Sequence, residues 1–287
     1  MIILDEVKYA KDHIESKMLD EKPFTTLSII GKYYYHCMGY RKKRIVSELT
    51  TFMLENYPPY SNNRIDWDDA IDSIASSAGK YKLFVIDGVW ITENEIRKIE
   101  NIHNKVLERL AFTLLCIAKL NNIKNPKNNG WVNTSAKEIF SIARISCSVS
   151  DRFERLSRLA IMSLVDVTQK NENLNVRVTF IDDDSEKQLH VTDFRELGYE
   201  YLRYKGGNFI NCGKCGILIR NNKNKTKKYC VDCAGYTPIK HKEVRCIDCG
   251  ITFEVSSKNV KTNRCSYCKR EFIRSYDRER KKRISSA

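Results

Sequence analysis

Cys212-Gly-Lys-Cys215 is followed, after fourteen intervening residues, by Cys230-Val-Asp-Cys233, and Cys246-Ile-Asp-Cys249, after fifteen, by Cys265-Ser-Tyr-Cys268. Four Cys-x-x-Cys pairs, taken two by two, have the spacing of two four-thiolate zinc sites. The first pair of each set runs into a glycine, Gly216 or Gly250, which lets the backbone turn sharply and aim N–H groups at the sulfurs. Disulfides belong to oxidising compartments, and the opening Met1-Ile2-Ile3-Leu4-Asp5-Glu6 lacks the basic and apolar stretches of an export signal. A dithiol redox centre needs one reactive pair on a βαβ scaffold, and iron–sulfur clusters commonly use more compact spacings. Segments of about 25 residues are too small to bury a core, so metal binding must supply the folding free energy, on the order of 10 kcal/mol per site. Protein fills all four ligand positions, so both ions are expected to be structural, with no place for activated water. The other cysteines, Cys37, Cys116 and Cys147, lie in apolar or helical surroundings and read as small buried hydrophobes.

The excess positive charge lies at the same end of the chain. Residues 205–287 hold 21 basic against 7 acidic residues, whereas residues 1–204 are neutral, with 29 of each. Two tetrathiolate zinc ions would lower the formal +14 to about +10, so the excess survives loading. Such asymmetry suggests a polyanionic partner, although a solvated basic tail explains the same count. Arg220, Lys223, Lys225, Lys227 and Lys228 lie between the Cys pairs of the first set, and Lys258, Lys261 and Arg264 between those of the second. A hairpin tip would present these positions to phosphates. After Cys268, Arg270, Arg274, Arg278 and Lys282 recur every four residues, giving one basic helical face.

Over roughly residues 210–270 both cysteine sets resemble zinc ribbons. That family includes DNA- and RNA-binding proteins, polymerase subunits and primases, and some members serve only protein contacts. The resemblance therefore implies either nucleic acid or a protein partner.

Upstream, the apolar spacing predicts helices over 3–20, closed by Pro23, and over 25–38 and 42–57, ended by Pro58-Pro59. A fourth runs from Trp67 to Ala78 with Asp66 as N-cap, and residues 82–91 read as a short strand. Thr92-Glu-Asn-Glu95 is a capping box opening a helix to Leu120, and Ser135-Ala-Lys-Glu138 opens a short helix to Ala143. Arg144–Cys147 makes a tight connection to a helix capped by Ser148 or Ser150 and running to Ser163. Strands follow at 164–168 and 175–181, then Asp182-Asp-Asp184 as a solvated turn and a helix over 193–204. This order, over roughly residues 100–182, resembles the winged helix-turn-helix family. The resemblance implies that the helix after the turn enters the DNA major groove while the hairpin touches the backbone. Helical projection places Phe153, Leu156, Ala160 and Leu164 toward the core, Arg155, Arg158 and Met162 opposite, and Arg152 at the flank. Arginines there can bond guanine or hold phosphates, or pair with Asp151 and Glu154.

The expected fold is mainly α with small β elements. It comprises a helical domain (1–91), a winged helix (92–184), a linker helix (185–208), ribbons at 209–236 and 243–270, and a basic tail from 271 to 287 with Arg274 and Arg278 as phosphate contacts. No apolar run reaches the roughly 18–20 residues of a membrane helix, and a cytoplasmic location is expected. The layout is similar to that of uncharacterised proteins of Firmicutes phages and other mobile elements. The function expected is double-stranded DNA binding, for transcription control or replication initiation. An adaptor docking its ribbons on a polymerase or helicase is the alternative, and a metal-dependent nuclease is a third reading. No phosphate-binding Gly loop, nucleophile–His–acid set or open metal site marks an enzyme.

Overall fold

Asp5 accepts a hydrogen bond from Lys8 N at 2.8 Å and so caps helix α1 (Glu6–Ser16), which stops where Lys17 turns left-handed. The helix is shorter than the 3–20 expected, because these local caps override the apolar period. Pro23 does not close it but opens α2 (Pro23–His36) from the first helical position, where its missing N–H costs nothing. Helices α3 (Lys42–Asn56) and α4 (Arg64–Ser77) complete a bundle, with Asp66 inside the first turn of α4 rather than ahead of it. Leu27, Ile30, Ile45, Leu49, Met53 and Ile71 are sealed in its core.

A computed structural model describes the chain except at residues 1, 21, 63, 171–172, 222–226, 236–240, 257–261 and 286–287. It is about 52% helical with small antiparallel sheets, the class that the sequence led us to expect. No helix among the described residues is long and apolar enough to cross a membrane. Two units are distinguished, Met1–Tyr229 and Cys230–Ala287.

A second core in the first unit is built around α6 (Lys105–Lys124), which buries Leu110, Phe112, Leu114, Leu115 and Ile117 and so has apolar residues nearly all round. The single helix expected over 92–120 is in fact two. α5 (Glu93–Glu100) ends where His103 adopts φ 52°, and Asn104 restarts the chain by accepting from Val106 N and Leu107 N. An Asn side chain that bonds the backbone competes with the helix, which the apolar period alone does not reveal. Strands β1 (Val89–Thr92) and β2 (Trp131–Val132) flank these helices.

Helix α7 (Ala136–Ile142) ends in a Schellman turn: Arg144 is left-handed at φ 54°, Ile145 N donates to Phe140 O and Arg144 N to Ser141 O. Ser148 and Asp151 then cap α8 (Val149–Ile161) reciprocally. β3 (Val165–Lys170) and β4 (Asn173–Val178) form an antiparallel hairpin, and β2 adds to β4 to give the order β2-β4-β3.

Residues 185–208, expected as a linker with one helix, hold β5 (Lys187–Val191), which pairs with β1, and α9 (Leu197–Tyr204). Phe194, Leu197 and Tyr201 are buried in the second core, and Tyr201 donates to Glu108 Oε2 at 2.9 Å. A methyl on Gly198 would lie 2.0 Å from Ala143 O, so only glycine lets α9 approach the end of α7 this closely. β6 (Phe209–Asn211) and β7 (Leu218–Arg220) close the described part of the first unit. The second unit contains the hairpin β8 (His241–Arg245) and β9 (Thr252–Ser256), followed by α10 (Ser266–Ser285), which runs unbroken across residue 270.

Candidate metal centres and nucleic-acid face

Each hairpin turns at its first cysteine pair. Cys212–Cys215 joins β6 to β7 and Cys246–Cys249 joins β8 to β9, with Gly216 at φ 70° and Gly250 at φ 74°. These values lie in the left-handed region that glycine enters without strain. Cys212 N donates to Ile217 O and Gly216 N to Cys212 O; the second turn repeats this with Cys246 N to Ile251 O and Gly250 N to Cys246 O. One local fold is thus written twice. The hairpin tip is therefore the thiol knuckle itself, not the basic stretch between the pairs.

Side-chain sulfurs of Cys212, Cys215, Cys230 and Cys233 all lie within 4.8 Å of one another, as do those of Cys246, Cys249, Cys265 and Cys268. Zinc with sulfurs at about 2.3 Å in a tetrahedron sets them about 3.8 Å apart. Cys249 Sγ and Cys265 Sγ are 3.8 Å apart, and every cysteine is free of a disulfide. Each group of four could hold a metal ion, and the donor set is consistent with zinc. Backbone amides point at the sulfurs: Cys233 N lies 3.3 Å from Cys230 Sγ, and Cys265 N lies 3.4 Å from Cys246 Sγ. Donation from Cys265 N and Cys249 N brings the Cys246 thiol down to about 6, so it is a ready thiolate ligand. A hydrogen bond to Cys249 pushes the Cys268 thiol up.

The basic residues proposed from the sequence are placed less uniformly. Lys223, Lys225, Lys258 and Lys261 lie outside the described residues. Arg220 is exposed on β7, Lys228 is exposed and Lys227 half-buried. Arg264 is occupied within the second unit: it pairs with Asp248 at 2.7 Å and lies over the Phe272 ring at 4.2 Å. On α10, Arg274 is exposed beside Glu271, and Arg278 is exposed with its Nε donating to Arg274 O.

The face assignment of α8 holds for Leu156, Ala160 and Leu164, which pack on the core, and is corrected at Phe153 and Arg155. Leu156 and Leu159 fill the core, while Phe153, expected inward, is 48% exposed. Arg155 is half-buried rather than opposite the core, Arg152 is half-buried too, and Arg158 alone of the three is exposed, paired with Glu154 at 2.6 Å. The helix is rotated relative to the projection because Leu159 as well as Leu156 is drawn into the core, and a Schellman exit with Ser163 at φ 57° ends it.

That rotation brings α8 against a cluster that the sequence does not announce. A cleft of about 410 Å³ is lined by Lys137, Ser141, Arg144, Ser146, Arg152 and Tyr199. Arg144 forms a two-pronged pair with Glu196, whose carboxyl burial still pushes up, and its guanidinium lies 5.4 Å from the centre of the Tyr199 ring. Arg109 donates to Arg144 O at 2.9 Å, and burial, reinforced by nearby Arg155, lowers its guanidinium. Arg152 Nε and Arg155 Nη1 are buried with no hydrogen-bond partner among the described residues. A buried charged donor left in that state costs free energy that an acceptor brought to it would recover. Residues 109 and 199 are far in sequence from 144 and 152, and no local pattern links them.

Asp182–Asp184, expected as a solvated turn, is held in place. Asp182 accepts from Ser185 Oγ at 2.6 Å and Asn94 Nδ2 at 2.9 Å, which pulls its carboxyl well below the usual range, and Asp183 pairs with Lys119 at 2.7 Å. No protein-family model, curated protein or solved structure matches this chain.

Proposed function

We propose that this chain is a zinc-stabilised protein that binds double-stranded DNA at chosen sites, for transcription control or replication initiation on a phage or mobile element. Residues 92–184 act as a winged helix-turn-helix. Supporting this are the succession α6, β2, α7, turn, α8, β3, β4, and the joining of β2 to the hairpin in one three-stranded sheet. The observation that carries the reading is that Arg152 and Arg155 on α8 each keep one N–H, Nε and Nη1, without a hydrogen-bond partner among the described residues, with Arg152 lining the cleft at the first turn of the helix. Zinc holds the two cysteine units as rigid basic appendages that add phosphate contacts.

The test is binding of the metal-loaded full chain to a randomised duplex pool across a salt series. Log affinity falls against log salt by about 0.9 for each phosphate neutralised, and repeated selection enriches a motif. Absence of duplex binding at about 0.1 M salt overturns the reading.

A second reading is favoured by a separate observation. Ile247 and Ile251 are 57% and 62% exposed around the second knuckle, as apolar docking side chains would be. On that reading the ribbons dock on a polymerase or replication protein, and the chain shows little affinity for DNA alone.

A further inference from the structure

The inference rests on the proposed entry of α8 into a DNA groove and concerns what that helix reads there. Its outward face is more apolar than basic. Val149 is 62% exposed, Phe153 48% and Ile161 83%; Ser157 is exposed with them, and Glu154 and Arg158 hold each other. Val149 and Phe153 are four residues apart, about 6 Å along the helix axis, close to two base steps of about 3.4 Å. The reciprocal Ser148–Asp151 cap fixes the backbone at Val149, so the position of this pair is set before any ligand arrives.

Cations border this apolar pair. Arg152 and Arg155 lie half-buried on the flank of the same helix, and the exposed Lys137 lines the adjoining cleft beside Arg144, which Glu196 already holds. A surface that satisfies both parts must be anionic along its edges and apolar between them. The major groove of duplex DNA has that character where thymines lie: rows of phosphates border C5-methyl groups that protrude from the base edges. We propose that Val149 and Phe153 read thymine C5-methyl groups, while Arg152 and Arg155 hold the bordering phosphates. Site choice on this account depends mainly on methyl contact, with Ser157 and Arg158 as the hydrogen-bonding readers of the same face.

Deoxyuridine keeps every hydrogen-bonding group of thymidine and lacks only the methyl. The experiment takes the duplex enriched from the randomised pool, resynthesises it with deoxyuridine for thymidine, and measures both against the metal-loaded full chain and its Phe153→Ser variant. Uridine substitution is expected to weaken binding by about fourfold for each methyl contacted, and Phe153→Ser to shrink that difference while leaving the melting temperature unchanged, since Phe153 is exposed. Equal affinity of the intact chain for both duplexes overturns the methyl reading and leaves DNA binding standing. Failure to bind any duplex overturns DNA binding itself. In that event, self-association or protein capture that Phe153→Ser abolishes assigns the apolar face to a protein.

Discussion

Lys119 Nζ lies 2.8 Å from Glu95 Oε1, with the Glu95 side chain fully sealed from water and that of Lys119 8% exposed. The carboxylate also accepts from Thr92 N and Asp182 N, so one residue caps α5, neutralises a cation on α6 and anchors the chain leaving the hairpin. A buried pair of this kind adds little net stability over an apolar pair but is costly to break on one side.

Glu95→Leu is therefore expected to cost about 3–5 kcal/mol, because it leaves Lys119 with only the exposed Asp183 and strands two backbone donors. Lys119→Met should cost less, since the carboxylate keeps its two amides. Urea unfolding of both variants measures the difference. A loss under about 1 kcal/mol in Glu95→Leu contradicts the role given to this carboxylate.

Metal content is the second expectation. Reduced protein should carry two divalent ions per chain, and Cys246→Ser should leave one, because the two groups of four cysteines share no ligand. Elemental analysis against protein concentration decides it. Two ions retained in Cys246→Ser, or none in the intact reduced protein, rules out this assignment.

Acid should loosen the hairpin exit. The folded Asp182 carboxyl sits below its unfolded value, held first by Ser185 and then by Asn94. A depressed carboxylate contributes stability that is present above about pH 4 and lost as pH falls through the folded value. Asp182→Asn should therefore flatten the drop in unfolding free energy as pH falls below about 4. An unchanged pH slope in this variant removes Asp182 from the account.

Gly198→Ala should cost about 1–3 kcal/mol by overpacking against the Ala143 backbone, and should part Arg144 from Glu196 as α9 shifts. A thermal melt gives the first effect, and a double-mutant cycle between Arg144→Ala and Glu196→Ala in the Gly198→Ala background gives the second. A coupling between Arg144 and Glu196 that survives intact means α9 tolerates the methyl without moving.

What was legible in the sequence was local. The glycine after each Cys-x-x-Cys marked a sharp turn, because that turn closes on its own amides and needs nothing distant, but that the turn is the hairpin tip appeared only in the structure. The capping box at Thr92 and the caps at Ser135 and Ser148, the last offered beside Ser150, marked helix starts for the same reason: donor and acceptor lie three residues apart. Tertiary structure alone decided the phase of α8, which turned Phe153 outward and Arg155 inward, and the meeting of Arg109, Arg144 and Arg152. It also decided that the segment after Asp184 belongs to the core, through the pairing of β5 with a strand almost a hundred residues earlier and the seating of Tyr201 on Glu108. Helical period reports which residues share a face. Which face is buried depends on the elements that pack against it, and those are chosen by contacts between distant parts of the chain.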